Sequence, residues 1–282
     1  MKKTPKEPLP GKEKGPYVPE LGLSYPDKPD AHMYPRPGGA ELVLDEHYPF
    51  LDRSFSFRFK SGLLYLGIFT LVFPLNIIRF GLRIEGRDVL KRNRELLRHG
   101  ALSVSNHVLR WDLLMVLQAL RFRRLWYPAF KDNLSGPDRG LIRLTGGIPV
   151  PDRIHGIKFF NRAFDELHRR KKWFHVFPEG ANWHYYQPIR PFKKGMFTVA
   201  WDYQLPVIPL AFSWRPAWGL YRLFNRIAGK NYPLVTLRIG EPLLPDLSRP
   251  RREAVRLLRK EVHRRIAELA GITNNPFPPE GD

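Results

Sequence analysis

The sequence predicts an α/β fold in which a largely parallel sheet is flanked by helices and preceded by a membrane-associated helix. Three observations lead to this prediction. Between residues 82 and 239, short apolar runs of strand length alternate with helical patterns, which is typical of parallel strands joined by crossover helices. An uncharged apolar stretch, 62–78, precedes them. A long Arg-rich helical pattern, 248–269, follows them.

The composition of the chain divides it into four segments. Residues 1–47 are rich in Pro, Gly and charged residues and poor in aliphatic ones, so they cannot bury enough apolar surface to offset chain entropy. We expect an extended or disordered arm, with Tyr17, Leu21, Leu23, Tyr25 and Tyr34 as candidate anchors onto the body. Residues 48–84 form an apolar and aromatic segment, residues 85–272 the α/β domain, and residues 273–282 a tail.

The apolar stretch 62–78 is a little shorter than the roughly 20 residues that span a bilayer. Pro74 and Asn76 interrupt its second half, and basic residues flank both ends. We expect a helix, bent at Pro74, that dips into one leaflet of a membrane. A single membrane span and a buried core helix are the alternatives.

The predicted elements of the α/β domain follow one another with short connections. A strand begins at residue 82 and leads through a turn into a short helix that ends at residue 97. The later predicted strands cover 101–105, 125–130, 146–153, 173–177, 206–212 and 235–239. The later predicted helices cover 112–120, 140–144, 155–170, 195–201 and 248–269. Pro149 and Pro151 indicate an edge strand, because Pro donates no ladder hydrogen bond.

Charge and cysteine content restrict the classes of function. Lys+Arg 47 against Asp+Glu 27 gives a net charge of +20, which favours nucleic acid, an anionic membrane, or phosphorylated and CoA-like substrates. No nucleic-acid-binding module is recognisable, so nucleic acid is not a predicted partner. The chain has no Cys, which excludes disulfides and thiolate chemistry.

Polar residues follow three of the predicted strands, and ligands of α/β sheets collect at strand carboxyl ends. His107 lies in the turn after one strand, and Asp112 lies in the first turn of the next helix. A carboxylate there can orient one imidazole nitrogen and leave the other to take a proton from a hydroxyl. Arg153 and Glu179 follow two other strands. No protein nucleophile is evident, so the substrate's own hydroxyl is the expected nucleophile.

Four short motifs occur in a fixed order. They are Asn106-His107-x4-Asp112, Gly147-Ile-Pro-Val-Pro-Asp-Arg153, Phe177-Pro-Glu-Gly180 and Leu205-Pro-Val-Ile-Pro-Leu210. Together they resemble the motifs of the glycerolipid acyltransferase family, and the branch that looks most similar is the 1-acylglycerol-3-phosphate (lysophosphatidic acid) acyltransferases. The resemblance covers about residues 60–270 and implies a glycerol-3-phosphate acyltransferase-like domain.

The resemblance also implies a reaction and roles for residues. A fatty acyl group would move from acyl-CoA or acyl carrier protein to the free hydroxyl of a lysophospholipid, with 1-acylglycerol-3-phosphate giving phosphatidic acid. His107 would be the general base and Asp112 would orient it, while Pro209 belongs to the motif that shapes the acyl-donor site. The positions assigned to acceptor binding are Asn106, Arg153, Glu179 and Gly180.

The third motif departs from the family pattern. Members commonly have Phe-Pro-Glu-Gly-Thr-Arg-Ser, whereas this chain has Phe177-Pro-Glu-Gly-Ala-Asn-Trp183. The missing Arg leaves the acceptor phosphate to Arg190, Lys193 or Lys194, which precede a predicted helix N-terminus, a favourable place for an anion. A different lysolipid or glycolipid acceptor is the alternative.

The expected partners are the two substrates, a membrane surface and, for one choice of donor, acyl carrier protein. No metal and no cofactor beyond the thioester co-substrate is predicted, since His155, His175 and His184 lack the spacing of zinc ligands. We expect the protein on the cytoplasmic face of a membrane, as a monotopic or single-span protein. The rival from another class is a basic membrane-binding protein without catalysis.

Overall fold

The computed structural model describes residues 16–34, 42–121 and 123–279. In this part of the chain seven strands form one sheet in the order β1-β7-β6-β2-β5-β3-β4. All neighbouring pairs are parallel except β6 and β7, which are antiparallel. The strands are β1 (Arg83–Glu85), β2 (Leu102–Ser105), β3 (Leu125–Phe130), β4 (Gly147–Val150), β5 (Trp173–Val176), β6 (Val207–Arg215) and β7 (Leu234–Ile239).

Helices cover both faces of this sheet. They are α1 (Phe55–Gly67), α2 (Phe73–Phe80), α3 (Arg87–Arg92), α4 (Asp112–Ala119), α5 (Lys131–Ser135), α6 (Arg139–Thr145), α7 (Ile154–Arg169), α8 (Gly195–Asp202), α9 (Gly219–Ile227) and α10 (Arg251–Ala270). One apolar core lies between the sheet and α2 and α4. The other lies between the sheet and α7, α8 and α10. The predicted α/β class with a largely parallel sheet is confirmed.

Two features of the sheet concern the sequence predictions directly. β4 lies at one edge of the sheet, as Pro149 and Pro151 indicate. The last pair of strands is antiparallel, and β6 extends to Arg215, beyond its predicted end. The short α5 and the amphipathic α9 were not predicted.

The helices α1 and α2 are joined by a π turn, Ile68–Val72, into one apolar helix, Phe55–Phe80. The helix continues through Pro74, where a bend was predicted. Pro lacks an N–H and its ring crowds the carbonyl four residues earlier. The wider turn, in which Phe73 N donates to Ile68 O, accommodates that crowding immediately before the ring.

One stripe of the apolar helix packs on the domain through polar contacts. Ser61 Oγ donates to Leu144 O (2.7 Å), and Tyr65 OH donates to Thr145 O (2.9 Å). Near the other end, Asn76 Nδ2 donates to Gln118 Oε1 (3.0 Å). Only 28% of the most apolar 18-residue window is buried, so the alternative of a buried core helix does not hold. Within the described ranges, this is the one helix long and apolar enough to span a membrane.

Candidate active site

The strands β2, β5, β3 and β4 are parallel, so their carboxyl ends lie along the same edge of the sheet. This arrangement brings the predicted polar residues together. His107 follows β2, Glu179 follows β5, and Arg153 follows β4. Lys131 begins α5 directly after β3, and its ammonium group pairs with Asp152. This edge is where ligands of α/β sheets collect.

His107 and Asp112 form a hydrogen-bonded pair at the centre of this edge. Asp112 Oδ2 accepts from His107 Nδ1 (2.7 Å), Val108 N (3.1 Å) and Leu109 N (3.3 Å). The Asp112 side chain is 1% exposed, whereas that of His107 is 24% exposed. A carboxylate that accepts at Nδ1 fixes the tautomer whose Nε2 carries the lone pair. The imidazole also stacks on Phe177, with ring centroids 4.1 Å apart, which fixes the plane of the ring.

Glu179 and Arg190 form a buried ion pair behind His107. Glu179 Oε2 accepts from His107 N (3.0 Å) and Arg190 Nη2 (2.7 Å), and Oε1 accepts from Arg190 N (3.0 Å). Burial raises the pKa of the Glu179 carboxyl, while the Arg190 guanidinium and the two backbone N–H groups act in the opposite direction. The pair therefore ties the loop after β5 to the backbone of His107.

Arg190, one of the three cations predicted as candidates for the acceptor phosphate, makes its contacts within the protein. Its side chain is 1% exposed. It also donates to Pro29 O (2.9 Å) and to Ala181 O, and it lies 4.5 Å from the ring centroid of Trp183. Both terminal nitrogens of this guanidinium therefore donate within the protein. Glu179 is equally buried and acts on the site through the His107 backbone.

Two further predicted residues lie inside the fold. Asn106 is 1% exposed. Its side chain donates to Phe212 O (3.1 Å) and accepts from Phe212 N (2.8 Å), so its amide joins β2 to β6, and its role in acceptor binding stays a prediction. Pro209 is buried in β6, where its carbonyl accepts from Gly240 N (2.9 Å).

The two predicted lysines lie in different places. A Cβ on Gly180 (φ +75°) would lie 2.9 Å from Lys193 Nζ, so this glycine lets the ammonium group approach the loop after β5. The same Nζ lies 5.8 Å from the Phe130 ring at the end of β3. Lys194 instead lines a groove formed by α8 and α10. Of these two candidate cations, Lys193 therefore lies near the strand ends that carry Glu179 and Lys131, whereas Lys194 lies in the groove.

Part of the N-terminal arm covers the loop after β5. Tyr25 packs on the rings of Trp183 (5.7 Å) and Tyr186 (4.7 Å), and its hydroxyl donates to His184 O (2.9 Å). Trp183 Nε1 donates to Ala31 O (2.8 Å). The sequence signal for this contact is the set of aromatic residues within a Pro-rich segment.

One buried residue beside the pair was not predicted as part of the site. His175 Nδ1 lies 3.0 Å from Ser103 Oγ, and its Nε2 has no hydrogen-bond partner among the described residues. Burial lowers its pKa to about 3, with a smaller contribution from His107. His175 is therefore neutral and borders Phe177, on which the His107 ring stacks. Across the described ranges, no three His, Asp or Glu side chains are grouped to hold a metal ion.

Comparison with known proteins identifies the domain. The acyltransferase family profile matches residues 81–213, which include both members of the His107–Asp112 pair. Among solved structures, the chain is similar to the 1-acyl-sn-glycerophosphate (LPA) acyltransferase PlsC from Thermotoga maritima. The identity is 20%, the match covers 78% of this chain and 84% of that chain, and the TM-score is 0.45. No curated protein sequence matches the chain. Residues 81–213 therefore match an acyltransferase domain, the family that the four motifs resemble.

Proposed function

We propose that this chain transfers a fatty acyl group from acyl-CoA or acyl carrier protein to the free hydroxyl of 1-acylglycerol-3-phosphate, giving phosphatidic acid. The observation that carries this proposal is the His107–Asp112 pair, with a 2.7 Å hydrogen bond between a buried carboxylate and a partly exposed imidazole. The family match supports acyl transfer as the reaction class. Pro209 of the fourth motif is buried in β6, and we assign it a role in shaping the acyl-donor site.

In the proposed mechanism His107 Nε2 takes the proton of the acceptor hydroxyl. The hydroxyl oxygen attacks the thioester carbonyl carbon, and a tetrahedral intermediate forms. As the C–S bond breaks, the departing thiolate takes the proton from the imidazolium. The products are an ester and a free thiol, and His107 returns to its starting state. Asp112 stabilises the transient imidazolium and keeps Nδ1 protonated throughout.

The cations at the same edge support an acceptor that carries a phosphate. Lys193 extends past Gly180 towards the end of β3. Arg153 immediately precedes α7, and its side chain is exposed. A dianionic phosphate placed between these strand ends gains charge-assisted hydrogen bonds. The aromatic third motif favours the second candidate, a different lysolipid or glycolipid, because it lacks the usual Arg.

The apolar helix supports action at a membrane surface. One stripe of it packs on the domain from Ser61 to Asn76, and the rest exposes large apolar side chains. A helix held along its length in this way suits a position in the plane of one leaflet better than a span. The face of the membrane follows from the donor, because acyl thioesters are made in the cytoplasm.

The test is acyl transfer by the purified full-length chain, with labelled acyl-CoA or acyl carrier protein and a panel of lysolipids. Phosphatidic acid formed from lysophosphatidate, and lost in His107→Ala, is the expected result. Product from another lysolipid alone keeps the reaction and replaces the acceptor. Vesicle binding by folded protein without transfer to any acceptor overturns the proposal in favour of a non-catalytic membrane-binding protein.

A further inference from the structure

The helix α9 exposes a complete apolar face. Its apolar residues occur at helical spacing, and each is between 50% and 74% exposed: Leu220, Leu223, Phe224 and Ile227. No residue of α9 is buried. A surface helix normally turns such a face towards the core. A contiguous exposed apolar face is instead typical of a contact with a membrane or another protein.

The position of α9 places this face at the active-site edge of the sheet. In β6, which runs parallel to β2, Leu210 lies opposite Ser105, and β6 then continues to Arg215. The helix α9 follows that extension, so it begins beyond the strand end that carries His107.

A direct contact joins α9 to the apolar helix. Tyr221 OH donates to Ile77 O (2.8 Å). Nearby, Arg215 Nη2 donates to Gly81 O (2.5 Å) at the end of α2. Ile77 and Ile78 are themselves exposed. The apolar face of α9 therefore continues the exposed surface of the apolar helix and does not form an isolated patch.

The charges around this surface have one sign. The sequence contains no Asp or Glu from residue 203 to residue 240, nor from residue 53 to residue 84. Arg222, Arg226 and Lys230 are exposed on or just after α9. Trp218, which is also exposed, precedes it. Basic residues beside an apolar face, with Trp at its border, match the headgroup region of an anionic bilayer.

We propose that α9 is a second membrane-binding element, which lies in the headgroup region of an anionic bilayer beside the apolar helix. The inference rests on the proposed membrane association of that helix. Two elements side by side fix the orientation of the domain as well as its attachment. They hold the edge of the sheet that carries His107 towards the membrane that contains the lysolipid.

The absence of cysteine makes the test direct, since single Cys variants accept one label each. An environment-sensitive fluorophore is placed on Leu223→Cys in the apolar face of α9 and on Leu71→Cys in the exposed face of the apolar helix. Arg222→Cys labels the opposite side of α9. Leu247→Cys labels an exposed apolar residue in the segment after β7, at the other edge of the sheet. The full-length variants are mixed with vesicles of phosphatidylcholine and phosphatidylglycerol (7:3) that carry a quencher in the acyl chains.

The expected result is a blue shift and quenching at positions 223 and 71, with little change at 222 and 247. A response at 71 without one at 223 overturns this inference and leaves the proposed membrane association intact. No response at position 71 or at position 223 overturns both the inference about α9 and the proposed membrane association of the apolar helix. Equal quenching at 222 and 223 overturns the in-plane orientation. A blue shift at position 223 that grows with protein concentration in the absence of vesicles indicates that a second copy of the chain covers the apolar face of α9. That result overturns the assignment of a bilayer to this face.

A binding measurement with unlabelled protein adds a quantity. Leu223→Ser with Phe224→Ser removes two apolar side chains and is expected to weaken partitioning into these vesicles by about tenfold or more. Leu244→Ser with Leu247→Ser removes two other exposed leucines and is the matched control, with partitioning unchanged. Equal partitioning of the two double variants contradicts the inference.

Discussion

Replacement of Asp112 by Asn removes the negative charge from the hydrogen-bonded pair and keeps the shape of the side chain. In the native chain Asp112 Oδ2 accepts from His107 Nδ1 and from the backbone N–H groups of Val108 and Leu109. All three donors meet at this one oxygen, so the Asn carbonyl oxygen takes its place and the NH₂ group takes the position of Oδ1. His107 then keeps its tautomer, with Nδ1 protonated, but it faces a neutral amide and no longer a carboxylate.

The expected loss of rate follows from the lost charge. A neutral amide does not stabilise the imidazolium that forms when Nε2 takes the proton of the acceptor hydroxyl, and loss of the corresponding carboxylate in serine hydrolases lowers kcat about 10⁴-fold. We expect a fall of about 10³- to 10⁴-fold here, or about 4–5 kcal/mol of transition-state stabilisation. The loss of stability should be small, about 1–2 kcal/mol, because the backbone donors keep an acceptor.

The assay is initial-rate acyl transfer to lysophosphatidate by Asp112→Asn, His107→Ala and the double variant. The two single variants should lose similar activity and the double variant little more, because the residues act as one unit. Asp138→Asn is the control, since Asp138 pairs with Arg110 at the surface (2.7 Å) and should leave the rate unchanged. A folded Asp112→Asn enzyme with more than a tenth of native activity would refute the assigned role.

Three further predictions concern other parts of the site. Arg190→Met leaves the Glu179 carboxylate buried without its partner and should lower the free energy of unfolding by about 3–5 kcal/mol in urea titrations. Adding Glu179→Gln should restore much of the lost stability. A loss below about 1 kcal/mol in Arg190→Met contradicts the role of the buried ion pair. Burial lowers the pKa of His175 from 6.5 to about 3, so between these pH values the unfolded chain binds a proton that the native state does not. Stability should therefore fall as pH falls from 6.5 to 3, by up to about 1.4 kcal/mol per pH unit. In thermal melts recorded across this pH range, His175→Phe should reduce the dependence of the melting temperature on pH, and an unchanged dependence contradicts the assigned pKa shift. Lys193→Gln should raise KM for lysophosphatidate about tenfold with kcat nearly unchanged, as expected for one lost charge-assisted hydrogen bond, whereas Lys194→Gln should change neither.

The sequence predicted those features that short-range patterns determine. Strand β3 has the predicted bounds, because an alternating apolar run ends where polar residues begin. The edge position of β4 followed from Pro149 and Pro151, whose missing donors are tolerated only there. The His107–Asp112 contact was also local, since a turn and the first helical position bring the two side chains together.

Short-range patterns could not predict hydrogen bonds between polar side chains and residues far away in the sequence. Asn106 bonds to Phe212, and Arg190 bonds to Pro29, a residue 161 positions away. A motif identifies such residues as polar and near the site, but their partners decide whether they face substrate or hold the fold. The short α9 was missed for a related reason. It has neither a side-chain N-cap bond nor a buried residue, so neither a helix start signal nor a core position identified it.

The altered third motif bears directly on the identity of the acceptor. Trp183 takes the place that a small polar residue commonly has, and it is 2% exposed, with its indole N–H on Ala31 O and its ring against Arg190. This part of the loop, residues 181–186, holds the N-terminal arm and contains no Lys or Arg. Lys193, later in the same loop, approaches Gly180 and is exposed. We expect a phosphate-bearing acceptor to depend on Lys193 together with Arg153, whereas an uncharged glycolipid should be insensitive to the removal of Lys193. The change in KM from the native chain to Lys193→Gln, measured for each acceptor, consequently separates the two candidate reactions. A rise for lysophosphatidate supports the phosphate-bearing acceptor.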